Sequence, residues 1–395
     1  MKKLVLVFAL ALTISAIGQD RKIEFRDVTF DEALAAAKKE KKPIFMDCYT
    51  VWCGPCKWMS ANIFTNNDVA DYFNENFVCV KFDMEKGEGT SIAREFKIRA
   101  YPTLIYVNAE RELVMKAVGA SRDPQSYIKT GGYAKSKDYN LIALSENVSK
   151  NRNNAEFMQI YFDVMAGAGM ADAEEVNKYF EGISKEEWSS QANWKIITGV
   201  VDDIESPVFQ DLLNNTEAYK ANNGDNVDMF VAYKIRNALM SQLYSRKEDA
   251  TEKYAALYAK VETWEFGGKD GILFSTESAR LARIDQTQYF DYCVANVEKA
   301  IWDNANELNS VAWNFFEKAK DPKYTKAAEE WAARACELTE YKSHAILDTY
   351  ANLLHVNGDS KKALEMETKA LELAKADGAD TKSYEKVIEN IRTAL

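Results

Sequence analysis

Two thiols, Cys53 and Cys56, separated by Gly54 and Pro55, are the side chains of this 395-residue sequence best placed to do chemistry. A C-x-x-C pair can cycle as a redox couple, or it can supply half of a zinc site. At the start of a helix the first thiol is held outward with its thiolate favoured by the helix N-terminus. The second lies one turn in and can attack any mixed disulfide formed at the first. Zinc would need two more ligands, yet there is no second C-x-x-C, and the only histidines, His344 and His355, are far along the chain. No metal is therefore expected. Asp47 is the other suggestive group, a lone carboxylate in the apolar run Ile44-Phe45-Met46-Asp47-Cys48-Tyr49, where a buried acid is costly unless it has a task. Cys48 adjoins Asp47 and should face the opposite side of the strand, and Cys79 lies two before Lys81. With Cys293 and Cys336 they read as small core residues.

The elements that must position these groups alternate over residues 22 to about 135. Thr29-Phe30-Asp31-Glu32 has capping-box spacing, so a helix should follow and end before Pro43. Residues 44–49 and 77–83 read as strands, and Leu104–Val107 with Leu113–Val118 as a hairpin closing on Gly119. The order is helix, strand, helix, strand, helix, hairpin, helix, an α/β plan with helices on both faces of a small sheet.

Asp47, Trp52-Cys53-Gly54-Pro55-Cys56-Lys57, Lys81 and Tyr101-Pro102-Thr103 together resemble thioredoxin in identity, order and spacing, over residues 25 to about 132. The resemblance implies a thioredoxin fold for 19–135, with Cys53 and Cys56 as catalytic residues forming a redox-active disulfide. It implies that Asp47 handles the proton of Cys56 and that Lys81 pairs with Asp47. It also implies a substrate-binding surface: Trp52, Gly54 and Pro55 around the thiols, a cis-proline at Pro102 presenting backbone to an extended substrate, and Gly119 after the last strand. Tyr101 departs from the pattern, since a smaller or aliphatic residue is usual before that proline. The Gly-Pro dipeptide is shared with thioredoxin, whose potential is roughly −270 mV, so reduction or isomerisation is expected over disulfide introduction. The implied partners are protein disulfide substrates and, for an exported reductant, a membrane-bound electron donor. No cofactor is expected.

From Tyr139 onward the periodicity is helical, as in Phe157, Ile160, Tyr161, Val164 and in Phe290, Cys293, Val294, Val297, Ile301. Residues 326–338 align with 361–373 at an offset of 35, with six of thirteen pairs identical. The preceding helices align at an offset of 39. This resembles the tetratricopeptide repeat, with small residues where helices cross. The expected organisation is therefore an α/β thioredoxin fold at 19–135, a helical domain at 140–300, and tetratricopeptide-like repeats at 301–395.

Lys2 and Lys3, the mostly apolar stretch Leu4–Ile17 and the small residues Ala16 and Gly18 read as a secretory signal peptide over residues 1–18. About 14 residues are too few to span a bilayer, which takes roughly 20. A periplasmic destination is expected. With 47% hydrophobic and 28% charged residues, disordered and multi-span membrane classes are disfavoured, and a net charge of −11 argues against nucleic-acid partners. The expected function is thiol–disulfide oxidoreductase of extracytoplasmic proteins, with the helical region binding a partner or forming a dimer. The competing class is a repeat-containing adaptor in which the dithiol is ancillary.

Overall fold

The computed structural model describes residues 21–395, and the expected leader at 1–18 lies outside them. Helix α1 (Phe30–Glu40) starts where its capping box puts it: Glu32 N–H donates to Thr29 Oγ1 at 3.3 Å, and Thr29 N–H donates to Glu32 Oε2 at 2.8 Å. The chain then enters β1 (Ile44–Tyr49), α2 (Gly54–Asn62), α3 (Asn67–Asn76) and β2 (Val78–Asp83). It continues through α4 (Gly89–Glu95), β3 (Thr103–Val107), β4 (Leu113–Val118) and α5 (Pro124–Lys135).

The four strands lie in the order β2-β1-β3-β4, with β1 parallel to β2, and β3 antiparallel to both β1 and β4. Alternation along the strands feeds two cores. Ile44, Met46, Cys48, Val78 and Val80 pack with Phe30, Ala33 and Ala37 of α1 and Ile92 of α4. Phe45, Cys79, Leu104 and Tyr106 face Met59 of α2, Phe73 of α3 and Tyr127 of α5. Asp47 belongs by parity to this second face and lies at its end nearest α2.

Two further helices, α6 (Leu141–Asn147) and α7 (Ala155–Gly167), extend the second core: Leu141, Leu144, Val164, Met165 and Ala168 join Phe45, Phe73 and Tyr106. The chain divides into two compact units, one running to Val201 and including Ser206–Val208, the other made of Asp202–Glu205 and Phe209–Leu395. This differs from the expected borders at 140 and 300. The first border fails because α6 and α7 bury their apolar faces on the sheet's own core. The second fails because Phe274, Tyr289 and Phe290 share one core with Phe315, Trp331 and Leu347.

Within the second unit, helices Ala305–Lys318, Pro322–Leu338, His344–Val356, Ser360–Ala376 and Lys382–Thr393 follow one another through short turns. Ala328, Ala332, Ala335, Ala363, Ala370 and Ala374 are all fully buried, which lets backbones approach where helices cross. Asn357 joins the two pairs: its amide donates to Thr325 O at 3.0 Å and Glu329 Oε2 at 2.8 Å, and its oxygen accepts from Thr325 Oγ1 at 2.6 Å. Among the described residues no helix is long and apolar enough to cross a membrane.

Candidate active site

Cys53 and Cys56 are joined by a disulfide. Cys53 is the N-cap of α2, its Sγ accepting from the Cys56 N–H at 3.1 Å, and Pro55 occupies the first turn, where its missing N–H leaves no bond unmade. Both sulfurs thus sit at the positive end of a helix, where a thiolate is stabilised. The first cysteine was expected to face outward. In the oxidised state it does not: Cys53 is 2% exposed, because its side chain turns inward to cap the helix and bond its partner. A Cβ on Gly54 would meet nothing within 4 Å, so the space beside this residue is open.

Trp52 is 63% exposed and is held from two sides. Its indole N–H donates to Glu85 Oε2 at 3.0 Å, and its ring meets Tyr101 edge-on with centroids 6.0 Å apart. Tyr101 leads into Pro102 through a cis peptide bond. Gly119, at φ +91°, donates its N–H to Pro102 O at 2.8 Å, tying the end of β4 to the proline loop in a conformation that only glycine adopts freely. Tyr101, Pro102 and Gly119 therefore come together, and the Tyr101 ring joins this loop to Trp52, the residue before Cys53. Glu85 was not foreseen, since a lone acid after a strand carries no local signature.

Asp47 is 4% exposed, and its Oδ1 has no hydrogen-bond partner. A cleft of about 420 Å³ reaches it, lined by Cys56, Lys57, Ser60, Thr50 and Lys81 among others. Burial raises the Asp47 carboxyl to about 7, against the opposing pull of the Lys81 charge. Lys81 sits opposite Asp47 in the β1–β2 register, but the pair makes no contact ion pair. The Lys81 side chain is exposed, with its ammonium 5.7 Å from the centroid of the Phe25 ring. Its long stem lets the charge reach water, so it acts on Asp47 across the cleft mouth.

The other four cysteines, Cys48, Cys79, Cys293 and Cys336, are free and buried. Burial pushes the thiols of Cys79, Cys293 and Cys336 up to about 12, and that of Cys48 upward as well. They are packing residues, protonated and unreactive.

A thioredoxin-like family model matches residues 25–109. Thioredoxin H4 of Arabidopsis thaliana is 39% identical over 90 residues, which are 23% of this chain and 71% of that protein. The chloroplastic thioredoxin Y1 of the same plant is 38% identical over 85 residues, 22% of this chain and 46% of that one. The chain thus spans about half the length of the curated thioredoxins Y it matches. A solved structure of a proposed disulphide isomerase from Bacteroides thetaiotaomicron is 44% identical, covering 30% of this chain and 98% of that one with a TM-score of 0.28. The helix-capping disulfide, the cis-proline and the buried aspartate all lie within the matched residues 25–109, and the chain belongs to the thioredoxin-like family.

Proposed function

We propose that the chain is a thiol–disulfide oxidoreductase that reduces or isomerises disulfides of extracytoplasmic proteins, its helical second unit recruiting a partner or a second copy. The observation that carries the reading is the Cys53–Cys56 disulfide at the start of α2, beside the Tyr101–Pro102 loop and above the buried Asp47. In the reduced protein the Cys53 thiolate attacks one sulfur of a substrate disulfide, forming a mixed disulfide and releasing the other substrate sulfur as a thiolate that takes a proton. Asp47, ionised, accepts the Cys56 proton through the cleft. The Cys56 thiolate then attacks Cys53 Sγ, the mixed disulfide breaks, and the second substrate sulfur leaves. Two electrons have passed to the substrate and the Cys53–Cys56 disulfide is restored. A donor dithiol must then reduce it, and for an exported protein we assign that role to a membrane-bound carrier.

The Cys56→Ser variant of the full chain tests this. It is expected to accumulate mixed disulfides between Cys53 and substrate, seen as bands that collapse on reduction. Equal trapping by a Cys53→Ser, Cys56→Ser double variant would sink the assignment. The potential of the pair, from equilibration with dithiothreitol or glutathione buffers, gives the direction: a value near −270 mV supports a reductase, and one near or above roughly −180 mV an isomerase or oxidant. The leader reading predicts that a chain lacking residues 1–18 stays in the cytoplasm, which cell fractionation reads directly.

A further inference from the structure

A second hollow, of about 730 Å³, opens on the α1–α4 side of the sheet, next to the proline loop. Ala100 and Thr103, which flank the Tyr101–Pro102 bond, lie on one side of it, and Val118, the residue before Gly119, lies on another. The far wall comes from the end of α7: Gly169, at φ +66°, would place a Cβ 3.5 Å from the Val118 side chain, and exposed Met170 follows it.

The charge of this hollow is out of keeping with the chain. Four cationic side chains line it, Lys97, Arg99, Arg111 and Lys116, against one carboxylate, Glu95, in a protein of net charge −11. Glu95 is already spent on Arg111, which it binds through two hydrogen bonds of 2.8 Å, with Asp31 taking a third nitrogen at 3.1 Å. Among the described residues no carboxylate pairs with Lys97, Arg99 or Lys116. Lys116 is half-buried, and its ammonium makes only a long 3.4 Å bond to the Lys97 carbonyl. Burial lowers its pKa, Cys48 nearby opposes the shift and the Arg99 charge adds to it. A site that gathers unneutralised cations on partly apolar walls is complementary to carboxylates on a peptide stem.

We propose that this hollow docks an acidic segment of the substrate protein, adjacent to the cystine being reduced. The inference rests on the oxidoreductase reading and adds a substrate class to it. It also gives α7 a role: by docking on the sheet it completes a wall that the first five helices and four strands leave open.

Two synthetic peptides carrying the same intramolecular disulfide, one flanked by glutamates and one by lysines, provide the test with full-length reduced protein. The glutamate peptide is expected to have the higher kcat/KM by about 10-fold or more at low salt, chiefly through KM, with the gap shrinking as ionic strength rises. Arg99→Gln combined with Lys116→Gln should remove most of that preference while leaving turnover of a small uncharged dialkyl disulfide unchanged. Met170→Glu, at an exposed position on the other wall, should do the same without altering the sheet. Equal kcat/KM for the two peptides, or a preference that survives both sets of substitutions, overturns the proposal while leaving the activity intact. If no disulfide is turned over at all, the activity reading fails instead. Calorimetric titration of the oxidised protein with the peptides, their cystines replaced by serines, then decides the hollow alone: tighter binding of the glutamate peptide, weakened by Arg99→Gln and Lys116→Gln, supports it, and equal binding overturns it.

Discussion

Asp47 holds its proton up to about pH 7 because burial outweighs the pull of Lys81. That places the change of state where a base for Cys56 must work, and turnover is expected to rise as pH climbs through about 7. Asp47→Asn should flatten the profile and slow release of the mixed disulfide by about 10-fold or more, measured by stopped-flow on a fluorescent disulfide. The same carboxyl destabilises the fold. Its native pKa lies above its unfolded value, so its contribution is most favourable below about pH 4 and is lost as pH rises through about 7. Asp47→Asn should therefore stabilise the oxidised first unit at pH 8, on the order of 3 kcal/mol, and change little at pH 4. Denaturant melts at the two pH values check the sign. The cysteines, Asp47, Pro102 and Gly119 were legible because each belongs to a short motif or a fixed offset from one. Glu85 was not, because its link to Trp52 is made by loop placement across 33 residues of chain.

Strands declared themselves through short apolar runs bounded by turn residues, and α1 through its capping box. What could not be read was the surface against which α6 and α7 pack, since amphipathic periodicity shows that a face is buried without naming its partner. That is why the sequence suggested a domain border near 140 where the core is continuous. The consequence is measurable. Leu144 is fully buried in the core that holds Phe45 and Tyr106, so Leu144→Ala should destabilise the first unit by about 2–4 kcal/mol in a denaturant melt. A substitution confined to a separate helical domain would leave the protection of β1 and β3 amides from hydrogen exchange unchanged. Here it should lower it.

The two compact units carry different kinds of buried acid. In the second, Glu367 is fully buried, and burial, with the Asp348 carboxylate next, raises it to about 9. The pair holds a proton across the neutral range, so its contribution to stability falls as pH rises from about 4.5 towards 9. Glu367→Gln supplies a permanent donor to Asp348 and is expected to raise the thermal transition of the second unit at pH 8 by several degrees. At pH 5 it should have much less effect, which scanning calorimetry of the full chain would show. The helix pairs of this unit were partly visible in the repeat at offset 35, since buried alanines recur where helices cross. The stretch before it hid its organisation because its helices bury unlike residues. The adaptor reading is tested at the same scale: if Cys53→Ser preserves the cellular role while loss of residues 209–395 abolishes it, the dithiol is ancillary.

Four of the six cysteines are buried, protonated and disulfide-free, and this gives the molecule a built-in electron counter. Under native conditions an alkylating reagent should add no mass to the oxidised protein and label Cys53 in the reduced one, with all six thiols reacting only after reduction and unfolding. The redox state of the Cys53–Cys56 pair can thus be followed in unmodified, full-length protein, in a cell extract as readily as in buffer, with the silent four as the internal standard for whether the fold has stayed shut.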